Sequence, residues 1–187
     1  IQGSVYPELR KMSAEDILAI DFDGYAIGGL SVGEPKHEMF EMVSILEPMM
    51  PEDKPRYLMG VGKPEDIIQA VAMGMDMFDC VIPTRNARNG SVYTWAGKMS
   101  LKASYYMDDP RPIDPNCQCY TCRNYSRAYI RHLFSAGELL APYLATHHSL
   151  YFFSEFMREI RQAIIENRFG EFMKDFLSSF DPEAAPR

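Results

Sequence analysis

Long apolar runs are missing from this 187-residue sequence, and so is any opening that resembles a secretory signal. No hydrophobic stretch approaches the roughly 18 to 20 residues that a membrane-spanning helix needs. A basic segment followed by an apolar one, the pattern of a signal peptide, does not stand at the start of the sequence. We therefore expect no membrane association and a cytoplasmic location.

Extreme composition is also missing. Hydrophobic residues make up 47% and charged residues 24%, which are ordinary values for a globular protein and speak against disorder of the whole chain. No glycine-rich phosphate loop opens a helix, which argues against a generic α/β phosphate-binding protein. The first residue is Ile1 rather than Met, and we expect the chain to be a processed product or a fragment.

The acidic net charge of -7 hides one basic segment. Residues 1–82 carry 6 Lys and Arg against 15 Asp and Glu, whereas residues 83–131 carry 8 against 3, and residues 132–187 carry 5 against 8. A polyanion responds to the local field rather than to the total charge. The acidic total therefore does not exclude an RNA partner, although a solvated loop explains the basic segment equally well on charge alone.

The first 82 residues alternate between short apolar runs and amphipathic stretches. Runs of the kind found in buried strands occur near residues 1–2, 24–30, 56–61 and 77–82, and helical periodicity occupies residues 6–20, 35–46 and 63–74. Strands separated by helices imply β-α-β crossovers and a parallel sheet. The pattern predicts an α/β fold.

Each predicted strand carries a distinctive residue at or near its carboxyl end. These residues are Gln2, Gly29, Met59 and Asp79. Parallel sheets bind ligands at the carboxyl ends of their strands, so the four residues together indicate a site. Taken singly, Gly29 is explained as well by a turn and Met59 by core packing.

The pattern changes after residue 82. Residues 83–90 are polar and typical of turns, and Asn89-Gly90, between short stretches that favour strand, predicts a hairpin turn. Strands are predicted near residues 91–95 and 99–102. A proline-rich loop follows at residues 108–116. From residue 126 to about residue 180 the chain is predicted to be mostly helical.

Three of the four cysteines lie within six residues, at Cys117, Cys119 and Cys122. Three thiolates and one imidazole form the closed tetrahedral set of a structural zinc site. His148, which would reach back from a helix, is the predicted fourth ligand, with His147 as the adjacent alternative and His132 as a poorer one. A closed set leaves no position for water, so the metal is expected to stabilise structure and not to take part in chemistry.

Several motifs in order give the chain a specific resemblance. It resembles the carboxyl-terminal half of bacterial-type tRNA-guanine transglycosylases, from Ile1 to about Phe180. The matching stretches are Gly24–Leu30 with Gly33-Glu34-Pro35, Tyr57–Gly62, Met77–Gly90, and the set Cys117, Cys119, Cys122 and His148. The resemblance implies the second half of a (β/α)8 TIM barrel with an inserted zinc-binding subdomain and carboxyl-terminal helices. Residues 1–82 would form the barrel half, residues 83–150 the basic insertion with the zinc subdomain, and residues 151–187 the terminal helices.

The resemblance also implies an activity and residue roles. The family exchanges guanine at the wobble position of the tRNA anticodon for a 7-deazaguanine on the route to queuosine. Asp79 would be the nucleophile that forms a covalent ribosyl intermediate. The other implied roles are base binding by Gln2, Gly29, Leu30 and Met59, and tRNA binding by Arg85 and Arg88. Val32 is similar to the residue that bacterial members of the family have at this position, which implies 7-aminomethyl-7-deazaguanine as the incoming base.

Half a barrel is an incomplete enzyme. The second catalytic aspartate of the family, the aromatic residue that covers the base and a further base-reading aspartate fall in the missing half. We therefore expect this chain alone to be inactive, and we expect it to need its other half or to self-associate, with a homodimer implied by the family. The alternative is a non-catalytic, zinc-stabilised subunit for tRNA binding or dimerisation. The presence of Asp79 argues against that alternative.

Overall fold

The computed structural model describes residues 1–183, which divide into two compact units, residues 1–80 and the described residues from 81 onward. The last four residues of the predicted segment 151–187 lie outside the described part. Among the described residues no helix has both the length and the apolar character needed to cross a membrane.

The first unit is an α/β unit, as predicted. Its three strands form one parallel sheet in the order β1-β2-β3, and helices lie between them in the sequence. The strands are β1 (Tyr25–Ile27), β2 (Arg56–Leu58) and β3 (Met77–Phe78), and the helices are α1 (Pro7–Leu18), α2 (Lys36–Leu46) and α3 (Pro64–Ala72).

Proline and apolar spacing explain where the helices of this unit form. Pro7 and Pro64 stand in the first turns of α1 and α3, where their fixed φ suits a helix and no N–H is missed. Acidic residues in the first turn of α3 complement the helix dipole. Helix α2 buries Met39, Met42 and Val43. Met42 and Val43 lie three and four residues after Met39, so the three side chains share one face of the helix.

The predicted strand at residues 1–2 is not part of the sheet, although Ile1 lies beside β1. The amino terminus of Ile1 donates to the carbonyl of Ala26 at 2.6 Å, and the N–H of Gly28 donates to the carbonyl of Ile1 at 3.0 Å. These two bonds hold Gln2 next to the end of β1. The other predicted strands are real but shorter, and the prediction of strand from residue 77 to residue 82 was wrong beyond Phe78.

The second unit is mainly helical and contains one hairpin. Its helices are α4 (Ile82–Arg88), α5 (Tyr120–Asn124), α6 (Arg127–Ala136), α7 (Leu140–Ile165) and α8 (Phe169–Ser179), and its strands are β4 (Ser91–Thr94) and β5 (Gly97–Ser100). Helix α7 runs without a break across residues 150 and 151, so it carries both His148 and the aromatic residues that follow.

Two local predictions for this unit were wrong. Residues 82–88 form helix α4 and not a polar loop, with Pro83 in its first turn. The two strands pair as an antiparallel hairpin, but its turn is Trp95-Ala96 and not Asn89-Gly90. Gly90 instead follows the end of α4 with φ +85°, the left-handed conformation in which glycine commonly terminates a helix.

Aromatic side chains dominate the core of the second unit around the hairpin. The ring of Trp95 lies 5.5 Å from Phe152 and 6.1 Å from Phe156, and Phe156 lies 4.8 Å from Phe176, measured between ring centroids. Edge-to-face and offset arrangements at such distances add to the stabilisation that burial gives. This cluster joins the hairpin to helices α7 and α8.

Candidate functional site

Asp79 lies directly after β3, at the carboxyl edge of the parallel sheet. Its Oδ1 accepts two hydrogen bonds, one at 2.6 Å from the hydroxyl of Tyr57 and one at 2.9 Å from the N–H of Gly60. Gly60 has φ +79°, a conformation that suits glycine and turns its N–H toward the carboxylate. The side chain of Asp79 is thus held in one orientation and remains exposed.

These two donors also set the charge of the carboxylate. The hydrogen bond from Tyr57, followed by that from the N–H of Gly60, lowers the pKa of Asp79 below its usual value, against a small opposing effect of desolvation. The same contact raises the pKa of Tyr57, so the phenol stays protonated and remains a donor. Asp79 is therefore an ionised, oriented carboxylate whose second oxygen, Oδ2, is available to react.

Replacement of Tyr57 by Phe tests this arrangement. Tyr57→Phe removes the larger of the two effects that lower the pKa of Asp79, so that pKa should rise toward its usual value. In a reaction that needs the ionised carboxylate, the fall in activity on the acid side of the pH profile should then begin at a higher pH. At neutral pH the loss of activity should be about tenfold or less. The pH profile of kcat/KM reports this shift. A profile identical to that of the wild type would contradict the contact's role.

The other residues predicted at the strand ends also come together. A Cβ placed on Gly28 would lie 3.2 Å from the Sδ of Met59 and closer still to the amide of Gln2, so a larger residue there would displace the Gln2 side chain. Met59 follows β2, where its N–H donates to the carbonyl of Ile27 at 3.1 Å, and its side chain is 41% exposed. A Cβ placed on the next residue, Gly29, would come 2.5 Å from the amide oxygen of Gln2.

Leu30 differs from the four residues predicted at the strand ends, which are Gln2, Gly29, Met59 and Asp79. Its side chain is buried in the core, with 3% exposure, so only its backbone is available to a ligand. Gly29, by contrast, is exposed and has φ +64°. Gly60 directly follows Met59 and its N–H donates to Asp79, so the backbone after β2 links the residues around Gly28 to the carboxylate.

Glu34, which the sequence reasoning named only as part of a motif, fixes the loop after Leu30. One carboxylate oxygen accepts from the N–H of Val32 at 3.0 Å and the other accepts from the N–H of Ser31. Partial burial favours the protonated form, but the backbone N–H groups prevail and lower the pKa of Glu34. Val32 itself is 81% exposed at the tip of this loop.

The metal centre lies in the second unit. The side chains of Cys117, Cys119, Cys122 and His148 are all buried, and their ligand atoms lie within 4.8 Å of one another. The Nδ1 of His148 is 3.6, 3.7 and 3.3 Å from the three sulfurs in that order. A tetrahedral zinc ion with ordinary Zn–S and Zn–N bonds places sulfur and nitrogen about 3.5 Å apart. The predicted set is confirmed as a tetrad that could bind one zinc ion.

Contacts around the tetrad select the ligand atom. The Nε2 of His148 lies 3.0 Å from the carbonyl of Tyr93, so Nε2–H donates there and Nδ1 is left free for the metal. Cys119 caps helix α5, where its sulfur accepts from the N–H of Cys122 at 3.3 Å. The alternatives are excluded: His147 turns its Nδ1 to the hydroxyl of Thr121 at 3.4 Å, and His132 is not part of the tetrad.

Arg85 and Arg88 lie one turn apart at the end of helix α4. Both side chains are exposed, and within residues 1–183 neither forms an ion pair. Two free guanidinium groups on one helix can bind phosphate or the edges of bases. Their role in tRNA binding stays a prediction.

Comparison with known proteins identifies the family. The sequence model of the family described as queuine tRNA-ribosyltransferase matches residues 1–182. The chain belongs to this family. A queuine tRNA-ribosyltransferase of Thermodesulfovibrio yellowstonii is 56% identical over 177 residues, which cover 95% of this chain and 46% of the relative. The relative from Desulforamulus reducens is 57% identical over 97% of this chain and 49% of its own length.

A relative with lower sequence identity gives the same result. The relative from Actinobacillus pleuropneumoniae serotype 3 is 51% identical over 186 residues, 100% of this chain and 49% of the relative. The chain therefore spans about half the length of the curated queuine tRNA-ribosyltransferases that it matches. Tyr57 is a site contact that the sequence did not predict, because a tyrosine in a strand does not signal a functional site.

Proposed function

We propose that this chain is the carboxyl-terminal half of a tRNA-guanine transglycosylase built on a (β/α)8 barrel. The whole enzyme would exchange guanine at the anticodon wobble position of tRNA for a 7-deazaguanine, in the bacterial case 7-aminomethyl-7-deazaguanine, as a step of queuosine biosynthesis in the cytoplasm. Family membership over residues 1–182 supports this proposal. Residues 1–82 would supply the barrel half, residues 83–150 the zinc subdomain and residues 151–187 the terminal helices.

The oriented carboxylate of Asp79 is the observation that carries the proposal. Glycosyl exchange with retention needs a carboxylate that attacks C1′ of the ribose while the bond to guanine breaks and its electron pair leaves with the base. The incoming base then attacks C1′ from the vacated face, its N9 proton passes to the guanine anion that has left, and the Asp79 carboxylate is released. Tyr57 and Gly60 support this role because they hold Oδ1 and leave Oδ2 to form the bond.

The surface between Gln2 and Asp79 would hold the base. The amide of Gln2 can donate and accept, the backbone at Gly29 and Leu30 can read the polar edge of the base, and the thioether of Met59 can cover one face. The short distances around Gly28 support a shared function for Gln2 and Met59. Arg85 and Arg88 would contact the tRNA near the anticodon.

The zinc ion would hold structure. Four protein ligands close the site, and the metal would supply no open position for substrate or water. It would fix the segment from Cys117 to Cys122 on helix α7, through His148, and so stabilise the second unit. The protein would act as a homodimer, as the family resemblance implies.

A non-catalytic, zinc-stabilised subunit for tRNA binding or dimerisation is the second candidate function. The buried tetrad and the two free arginines suit it as well as they suit the enzyme. Asp79 separates the two candidates. A subunit without catalysis has no use for an exposed carboxylate whose pKa two donors keep low.

The proposal is tested by guanine exchange into tRNA, measured with the chain in two forms. One form is the purified 187-residue chain alone, and the other is the chain joined to the amino-terminal half of the Thermodesulfovibrio yellowstonii relative. We expect labelled guanine to enter a tRNA with guanine at the wobble position only with the joined protein, because the chain alone lacks half of the barrel. A tRNA with another wobble base is the control substrate.

Two results would count against the proposal. Exchange by the chain alone at the rate of the joined protein would refute the expectation that the chain alone lacks part of the active site. A folded, zinc-loaded joined protein that binds tRNA without exchange would favour the non-catalytic subunit.

A further inference from the structure

Arg10 on helix α1 is a fully buried arginine whose guanidinium meets only backbone carbonyls. Nε donates to the carbonyl of Ser4 at 2.7 Å, Nη1 to those of Ile1 at 3.2 Å and Gly28 at 2.7 Å, and Nη2 to that of Gly29 at 3.1 Å. Within residues 1–183 it forms no ion pair with a carboxylate. Burial lowers the pKa of Arg10, and the attraction of the Glu34 carboxylate offsets this only in part. Burying a cation with no directly bonded carboxylate is costly, so its place here calls for a structural explanation.

The four acceptors define what the guanidinium holds. Ile1 and Ser4 flank Gln2, whereas Gly28 and Gly29 belong to the loop after β1. The peptide that joins Ile1 to Gln2 is held on both sides. Its carbonyl accepts from Arg10, and its N–H, which belongs to Gln2, donates to the hydroxyl of Ser13 at 3.0 Å. One planar group therefore fixes both segments that meet at the proposed base site, since an arginine fork presents five donors in a fixed geometry.

The orientation of the glycine peptides follows from this contact. In a trans peptide the C=O and the next N–H point in opposite directions. Because the carbonyl of Gly28 points to Arg10, the N–H of Gly29 points away from it. Gly29 is exposed between the buried Gly28 and Leu30, and among the described residues its N–H meets no acceptor. An oriented, unsatisfied donor thus stands beside the amide of Gln2.

We propose that Arg10 is a positioning residue for base recognition, which holds the carbonyls of Gly28 and Gly29 and so presents the N–H of Gly29 to the carbonyl oxygen of a purine-type base. This inference rests on the proposed function, because that function supplies the base. The guanidinium also places positive charge behind the donor. Negative charge that develops on the oxygen as the base departs is stabilised by such a preorganised dipole.

Arg56 offers a matched control within the same unit. It is also buried, at 5% exposure, and its guanidinium donates to the carbonyls of Pro51 and Met50 and to Glu47. Arg56 opens β2, at the opposite end of the strand from Met59. Lysine at either position keeps the charge and loses the fork. Arg10→Lys loses contacts with four carbonyls, and Arg56→Lys loses contacts with two carbonyls and one carboxylate.

The test compares guanine binding by Arg10→Lys and Arg56→Lys in the joined protein described above. We expect Arg10→Lys to weaken guanine binding and to raise the KM for guanine by about tenfold, the effect of one lost hydrogen bond to the base. The KM for tRNA and the zinc content should stay at wild-type values. Arg56→Lys should leave guanine affinity within about twofold of the wild type.

Equal losses in the two lysine variants, or unchanged guanine affinity in Arg10→Lys, would overturn the inference. A second measurement needs no variant: in wild-type protein labelled with 15N-glycine, the amide signal of Gly29 should shift when guanine is added, and an unmoved signal would refute it. Guanine binding with that shift but without exchange would reject the proposed function and leave the role of Arg10 intact.

Discussion

Asp79→Asn should abolish guanine exchange in the joined protein, with a loss of at least about 1,000-fold in kcat. Both hydrogen bonds to Asp79 end on Oδ1, and an asparagine oxygen can accept the same two bonds from Tyr57 and Gly60. The local structure should therefore persist. What is lost is the nucleophile, because a neutral amide does not attack C1′ of the ribose.

The exchange rate, the melting temperature and the affinity for tRNA separate these effects. Asp79→Asn should melt and bind tRNA like the wild type while failing to exchange guanine. Asp16→Asn, which neutralises an exposed carboxylate on helix α1, is the matched control and should keep wild-type exchange. Exchange by Asp79→Asn within about tenfold of the wild-type rate would remove Asp79 as the nucleophile.

Loss of the metal should have the second large effect. His148→Ala removes one of four ligands from a buried site and leaves three thiols packed against one another, so the protein should lose its zinc and the second unit should be destabilised by about 5 kcal/mol or more. Cys119→Ser should act in the same direction, since Cys119 also caps helix α5. Metal analysis and thermal unfolding measure the two consequences.

The neighbouring histidine provides the control. His147 precedes His148 on helix α7 and turns to Thr121 instead of the tetrad. His147→Ala should therefore retain one zinc per chain and nearly the wild-type melting temperature. Zinc retained in His148→Ala and lost in His147→Ala would reverse the assignment of the fourth ligand.

Helix positions and the parallel sheet could be predicted because their signals are local. Prolines in first turns and apolar residues at helical spacing marked α1, α2 and α3, and the order of strands and helices implied parallel pairing. Strand length could not be predicted, because an apolar run does not show where the hydrogen-bonded ladder stops. Asp79 therefore lies just beyond β3 and not within it.

The hairpin shows why turn signals alone mislead. Asn89-Gly90 is typical of a two-residue hairpin turn, but here it ends helix α4. The real turn, Trp95-Ala96, has no such signature. Its geometry is supported by the hydroxyl of Thr94, which donates to the carbonyl of Gly97 at 3.0 Å and accepts from the N–H of Ala96 at 3.2 Å. Packing of Trp95 against Phe152 and Phe156 outweighs local preference.

The residues of the candidate site that could be predicted are those whose type the chemistry requires. The residues that act through their position in the fold could not be predicted. A carboxylate after an apolar strand and three closely spaced cysteines are recognisable in a sequence. Tyr57 looks like an ordinary strand residue, and Arg10 looks like a surface residue of an amphipathic helix. Their roles depend on contacts with segments 18 to 22 residues distant, to Gly28 and to Asp79, which no local pattern contains.

Covalent bonding of Asp79 to the ribose is the central claim, and it is tested most directly by trapping the intermediate. The joined protein is incubated with tRNA, denatured and digested, and the peptide that carries the ribosyl group is identified by mass spectrometry. We expect a single modified peptide that contains Asp79, and no adduct with Asp79→Asn. An adduct on another residue, or one that survives in Asp79→Asn, would contradict the proposed mechanism.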